Sequence, residues 1–158
     1  MPKASWSDLA AGFDPAMGVR IVVEGRQRPV DPLVAVELGR IVDEALFNVC
    51  RHANASAVEI VVRFGKRQLG VEIRDDGVGM PPEVAAQGHK PGHFGLVGMR
   101  ERAERIGCSF SIDSRPGMGC AVTMSLPARL AFVDQAHGRR WRIFSRLLRN
   151  KKESSHAA

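Results

Sequence analysis

Long apolar runs are missing from this 158-residue chain. Its longest stretch without a charged residue, positions 116–128, is thirteen residues interrupted by Pro and Gly. A membrane span needs ~18–20 apolar residues, so none is expected. The opening Met1-Pro2-Lys3-Ala4-Ser5-Trp6 lacks the apolar core of a secretory signal. Cysteine is scarce: Cys50, Cys108 and Cys120 are odd in number and have no metal-ligand spacing. Reduced thiols in a cytoplasmic protein are therefore expected. A charge surplus is also absent from most of the chain, because residues 1–127 hold 15 Lys+Arg and 15 Asp+Glu. The whole net charge of +6 falls in residues 128–158, with eight basic and two acidic side chains. A basic body that tracks nucleic acid is excluded, and no nucleic-acid partner is expected.

What is present suits one globular domain: 44% hydrophobic and 25% charged residues. Residues 5–11 read as a short helix and 19–24 as a strand ended by Gly25. Asp31-Pro32 is a helix start, with Asp as N-cap and Pro at the first helical position. Leu33, Val36, Ile41, Ala45, Leu46 and Val49 then recur at helical spacing, which predicts a helix to about His52. Alternation over 57–64 and a turn at Gly65-Lys66-Arg67-Gln68 lead into 69–74, a β-hairpin. Residues 80–94 read as irregular, either a ligand lid or plain disorder. Residues 95–106 return to helix, stopped by Gly107, and 108–113 with 120–126 form a second hairpin. The order predicts an α+β fold, with helices on one face of a mixed, largely antiparallel sheet. The domain divides into an N-terminal linker and edge helix (1–14), a central domain (15–127) and a basic tail (128–158).

The loop Asp75-Asp76-Gly77-Val78-Gly79-Met80 follows the second strand of the first hairpin. Its two glycines allow close approach of a ligand to backbone, and an acid at the strand end offers a fixed acceptor. Asp and Gly are also the ordinary residues of turns. On the long helix, Glu44, Asn48 and His52 fall at i, i+4 and i+8, in one row, with Arg51 one position back. Such a row is either a solvated stripe or a site. Asn is a poor helix former, and its amide oxygen is a hard ligand for Mg²⁺ beside a cation for phosphate and a carboxylate. Gly92-His93-Phe94-Gly95-Leu96-Val97-Gly98-Met99-Arg100 enters a helix. It reads either as a phosphate-binding helix start or as a flexible loop before one.

Four motifs stand in order: Glu44-x-x-x-Asn48-x-x-Arg51-His52, Asp75-x-Gly77-x-Gly79, Gly95-Leu96-x-Gly98-Met99-Arg100-Glu101-Arg102-Ala103 and Ser114-x-Pro116-Gly117-x-Gly119. Over roughly residues 15–127 the chain resembles the GHKL ATPase superfamily. Within it, the chain is similar to the ATP-binding catalytic domain of bacterial two-component sensor histidine kinases, in the subfamily paired with LuxR/NarL-type response regulators. The resemblance implies the Bergerat two-layer α/β sandwich and binding of ATP with Mg²⁺. It implies that Asp75 reads the adenine amine and that Gly77, Gly79 and Met80 pass beside the purine. Asn48 would hold Mg²⁺, with Glu44 organising the metal or polarising the attacking group; these two are the catalytic residues. Arg51 and His52 would lie toward the phosphates. Gly95 and Gly98, with Leu96, would bracket the hinge of a lid spanning 81–94, and Met99 would begin the next helix. Family members usually carry Thr where Cys120 stands, against the adenine-binding Asp, and a thiol is a weaker hydrogen-bond group.

The implied partners are a histidine-bearing dimerisation domain, upstream or in trans, and a response regulator. None of the five histidines, His52, His89, His93, His137 and His156, stands on an upstream helical pair with a His-Asp or His-Glu step. The chain thus reads as the catalytic half of a kinase, cytoplasmic or the cytoplasmic part of a membrane-attached sensor. A GHKL kinase with a serine acceptor and a non-catalytic nucleotide-binding module are the alternatives. In the tail, Trp141, Phe144 and Leu148 recur at i, i+3 and i+7 among arginines. That pattern suits a membrane surface, an acidic partner or a merely solvated extension.

Overall fold

Five segments with alternating apolar residues form one sheet in the computed structural model, which describes residues 17–87 and 94–133. They are β1 (Gly18–Gly25), β2 (Ala57–Phe64), β3 (Gln68–Asp75), β4 (Ser109–Ser114) and β5 (Cys120–Pro127). The strand order is β1-β2-β3-β5-β4. Only β1 and β2 run parallel; the other three pairings are antiparallel, as the hairpins predict. Register places Ile60, Ile73, Val122 and Ile112 in one row and Val62, Val71, Met124 and Phe110 in the next. These rows face inward. The inward row continues onto β1 as Val19, Ile21 and Val23, which the described helices leave exposed. The other face carries a charge ladder: Glu24–Arg63 at 3.0 Å, Arg63–Glu72 at 2.9 Å, Arg74–Glu72 at 2.8 Å and Arg20–Glu59 at 3.2 Å. Exposed pairs of this kind each contribute at most about 1 kcal/mol. Their effect is to favour one cross-strand register on a face that none of the described helices covers.

Helix α1 (Pro32–Asn48) begins as the sequence predicts, with Asp31 accepting from the amides of Leu33 at 2.9 Å and Val34 at 3.2 Å. It buries Val34, Leu38, Ile41, Ala45 and Leu46 against the sheet. It does not continue to His52 as a regular helix. Val49–Ala53 instead winds into a wider π-helical turn, ended by Asn54 at a left-handed φ of 47°. The segment expected to be irregular opens with a short helix, α2 (Pro82–Gln87), started by a proline at its first position. Helix α3 (Phe94–Arg105) packs beside α1. It stops at Gly107, where the Gly107 amide reaches the Glu104 carbonyl at 3.0 Å and the Cys108 amide the Ala103 carbonyl at 2.9 Å. That pairing satisfies carbonyls the helix end would otherwise leave open. Ile41 and Leu46 of α1, Ile73 of β3, Met99 of α3 and Met124 and Leu126 of β5 are fully buried and form the centre of the core. No described helix is long and apolar enough to cross a membrane.

Ordered structure continues past residue 127, where the change in charge suggests a boundary. Ala128–Ala131 is a helical turn, α4, and the chain then pairs antiparallel with the entrance of α1. The Asp31 amide meets the Ala131 carbonyl at 2.9 Å, and the Val133 amide meets the Pro29 carbonyl at 3.0 Å. Phe132 is buried between the Phe64 ring, 6.1 Å away, and the guanidinium of Arg28 at 4.0 Å. The positive charge that marks the tail masks this apolar segment, which belongs to the domain. The helix expected at 5–11, Trp6, the lid residues 88–93 with His89 and His93, and the tail from 134 onward lie outside the described residues.

One ionic contact fastens the two long helices. Glu37 of α1 is 3% exposed and meets Arg40 at 3.2 Å, Arg102 at 3.3 Å and Arg105 at 3.4 Å, the last two from α3. The three guanidinium groups reach solvent, so they can rehydrate if the carboxylate is lost. We therefore expect Glu37→Gln to lower stability by about 1–2 kcal/mol, below the ~3–5 kcal/mol of breaking an enclosed pair. Urea unfolding midpoints of the two proteins measure the difference.

Candidate nucleotide site

Between the C-terminal half of α1, the start of α3 and the ends of β3 and β5 lies a cleft of about 280 Å³. Its walls join residues far apart in sequence because α1 and α3 cross the same inward face of the sheet. Glu44, Asn48 and His52 enter from α1 and its π-helical extension. Asp75, Gly79 and Met80 come from the loop after β3, Gly95, Leu96 and Met99 from α3, and Cys120 from β5. Ten of the thirteen residues singled out from sequence thus line one cavity. Three do not. Arg51 is exposed, with its guanidinium 5.3 Å from the centroid of the Phe47 ring. Gly77 is buried against the π-helical turn, and Gly98 lies on α3 facing open space.

Three glycines of the site have close neighbours within the protein itself. A Cβ at Gly77 would overlap the carbonyl oxygen of Ala53, and one at Gly79 would overlap that of Arg115. Gly79 also holds a φ of +65°. In both places the missing side chain makes room for the protein's own backbone. Gly95 has the same role toward a side chain: a Cβ there would overlap Oε1 of Glu44. The start of α3 is therefore seated directly on Glu44. Because α3 begins at Phe94, Gly95, Gly98 and Met99 all lie within it, so Met99 does not start the helix.

Two adjacent aspartates have opposite electrostatics. Asp75 closes β3, is 7% exposed and accepts from the Gly77 amide at 2.9 Å. Burial raises its pKa, outweighing the opposing hydrogen bonds of the Gly77 and Cys120 amides. Asp76 turns outward and accepts from the Ala57 amide at 2.9 Å, the Ser56 amide at 2.8 Å and the Ser56 hydroxyl at 2.9 Å. The Ala57 amide, followed by the Ser56 hydroxyl, lowers its pKa. Asp76 fastens the loop to the start of β2, and Asp75 is left as the carboxylate at the β3 end of the cleft. Beside it, burial first and the Asp75 charge second push the Cys120 thiol up to about 11, so it stays protonated.

Sequence reasoning missed the apolar lining, Ala45, Phe47, Val49, Ala53, Ile73 and Val122. For Ile73 and Val122 the signal was available, since both stand on the inward phase of their strands. It missed Ser114 as well, whose hydroxyl accepts from the Met80 amide at 2.9 Å and donates to the Gly119 carbonyl at 2.7 Å.

A family model described as "Histidine kinase-, DNA gyrase B-, and HSP90-like ATPase" matches residues 34–130. The chain belongs to this family. Among curated proteins of known name, it is 42% identical over 94 residues to the signal transduction histidine-protein kinase/phosphatase UhpB of Salmonella typhimurium, covering 60% of this chain and 17% of that protein. It is 36% identical over 94 residues to the signal transduction histidine-protein kinase/phosphatase DegS of Brevibacillus brevis, covering 60% of this chain and 23% of that protein. The matched region thus spans less than a quarter of either relative's length. Among solved structures, the histidine kinase domain from the Erythrobacter litoralis EL346 blue-light activated histidine kinase superposes with a TM-score of 0.60 at 23% identity, covering 77% of this chain and 56% of that one. The mycobacterial sensor histidine kinase MprB does so with a TM-score of 0.55 at 20% identity, covering 75% and 85% respectively. These two likenesses carry the fold, a mixed α+β sandwich shared with histidine kinase domains. As a member of the histidine kinase-, gyrase B- and HSP90-like ATPases, the domain is an ATP-binding one.

The burial of Asp75 fixes the sign of a pH effect. Its pKa is raised in the folded state, so between the unfolded and folded values the native protein holds more protons, and stability falls as pH rises through that window. Asp75→Asn removes the titration. We expect the variant to gain stability relative to the parent as pH is raised from about 4 to about 7, with the difference flat below the ordinary aspartate value. Denaturant midpoints across that range measure the trend.

Proposed function

We propose that the cleft binds Mg·ATP and that the domain supplies the γ-phosphoryl group to a histidine on a separate dimerisation domain, for relay to a response regulator. The observation that carries this reading is a single carboxylate, Asp75, closed in at one end of an apolar cleft whose other end presents Asn48 and Glu44. With one oxygen of Asp75 held by the Gly77 amide, the carboxylate has a fixed direction in which to accept an exocyclic amine. Ile73, Met99 and Val122 offer apolar surface to a flat base. The printed names of both curated relatives, histidine-protein kinase/phosphatase, support the choice of acceptor.

The donor set also fits a metal that arrives with its phosphates. Among the described residues no group of three His, Cys, Asp or Glu could hold an ion unaided. Mg²⁺ is commonly bound by one or two protein oxygens plus substrate phosphates and water. Asn48 would hold it through its amide oxygen and Glu44 through a water or directly. Mg²⁺ supplies neutralisation of charge on the phosphate oxygens. Glu44, held in place by the start of α3, orients the metal's waters or polarises the attacking imidazole. His52 stands at the rim near the phosphate end. The first-turn amides of the twelve-residue α3 face the same region, where an anion is favoured. The reading places the domain in the cytoplasm, where Mg·ATP is held.

Asp75→Asn turns a nitrogen donor toward the base if the Gly77 bond is kept, so one charge-assisted hydrogen bond is lost. Calorimetry should show Mg·ATP binding weakened roughly 10- to 150-fold; unchanged affinity would remove Asp75 from the base. Asn48→Asp keeps an oxygen but adds charge at the phosphate end. It should leave adenosine affinity unchanged while lowering phosphotransfer to a separately supplied histidine-bearing dimerisation domain by roughly tenfold or more. Full transfer by that variant would rule out the metal role of Asn48.

A further inference from the structure

Where the loop after β3 meets the turn between β4 and β5, two backbone segments interlock. The Gly117 amide donates to the Val78 carbonyl at 2.7 Å, and a Cβ at Gly119 would overlap the carbonyl oxygen of Asp75. One side chain bridges the two segments. Ser114, the last residue of β4, is 5% exposed and stands opposite Cys120 in the ladder, which in turn stands opposite Asp75. Its hydroxyl oxygen accepts from Met80 on one segment, and its single proton is given to Gly119 on the other. Met80 and Cys120, the residues on either side of this bridge, both line the cleft.

We propose that Ser114 is a positioning residue for the base end of the cleft, acting through the Met80 backbone and the Gly119–Cys120 segment; this rests on the ATP reading above. The site requires a group that both donates and accepts within a space closed on all sides. Serine does this with one atom. Alanine would leave a buried amide and a buried carbonyl without partners. The loop would keep its bonds to Ala53 and to the start of β2, but only the Gly117–Val78 bond and the glycine contacts would tie it to the turn between β4 and β5, and Met80 would lose its fixed place at the base end. The phosphate end, built on α1 and α3, shares no hydrogen bond with Ser114 and is unaffected.

The experiment uses the full 158-residue chain and its variants Ser114→Ala, Ser114→Cys and Ser114→Thr. Adenosine and Mg·ATP are titrated by calorimetry, and hydrogen exchange at the Met80 amide is followed without nucleotide. We expect Ser114→Ala to weaken adenosine and Mg·ATP by the same factor, roughly 5- to 30-fold, and to speed exchange at Met80 while leaving β1 and β2 protected. Ser114→Thr should restore both ligands to within roughly threefold of the parent, since the hydroxyl returns. Should Ser114→Ala fail to fold, Ser114→Cys, with a weaker hydrogen-bonding group of similar size, should show the same equal loss to a smaller degree. Parental adenosine affinity in folded Ala or Cys variants would overturn the proposal. So would a loss confined to Mg·ATP, which would point to the phosphate end. If the parent chain binds neither adenosine nor Mg·ATP, the ATP reading itself fails, a result distinct from failure of Ser114 alone.

Discussion

The carbonyl of Ala53 is the point on which the two ends of the cleft depend. It accepts the Val78 amide at 2.7 Å and occupies the space that a side chain at Gly77 would need. Through that one oxygen, the end of the helix that carries Glu44 and Asn48 is joined to the loop that carries Asp75. The hydrogen bond alone is worth only about 1 kcal/mol net. Its importance is geometric, because backbone against backbone leaves no rotamer to adjust. The spacing between the backbone segments that carry Asp75 and Asn48 is thereby set by main-chain contacts.

The neighbouring aspartates show how one dipeptide can serve two purposes. Asp76 gathers three hydrogen bonds at the surface, and its charged form is favoured. Asp75 is buried beside a protonated thiol, and its charged form is opposed by desolvation. A buried carboxylate whose charge is opposed by desolvation is favoured by a ligand's amine, so the cost of burying Asp75 and its usefulness have the same origin. The protein tolerates this because the outward neighbour holds the loop in place.

Much of this was legible in the sequence. The Asp31-Pro32 cap, the two hairpins and the row of Glu44, Asn48 and His52 follow from local chemistry, and local chemistry was enough to place them. Eight residues of the four motifs line the one cavity, joined by Met80 and Cys120 from positions that directly follow two of the motifs. What could not be read was set by tertiary contact. That Gly77 and Gly79 also make room for the carbonyls of Ala53 and Arg115 is visible only in the packed structure. The start of α2 was hidden by Pro81-Pro82, which reads equally as a break or as a first turn. The segment after β5 was hidden by the charge downstream of it, although Ala131 and Phe132 are as buried as any core residue. Ser114 lay in a quoted motif, but a serine before Pro-Gly carries no local sign that its hydroxyl joins two distant loops.

The π-helical turn at Val49–Ala53 makes backbone length, more than residue identity, the inherited quantity in this stretch. Such a turn holds one residue more than a regular helical turn of the same height. Deleting any single residue there would tighten it into ordinary helix and swing the Ala53 carbonyl away from Gly77 and Val78, whichever residue was removed. Val49, His52 and Ala53 of this stretch line the cleft, while Cys50 and Arg51 face solvent. Within a lineage of such domains, the interval from Asn48 to the start of β2 should therefore remain constant in length even where its exposed positions vary.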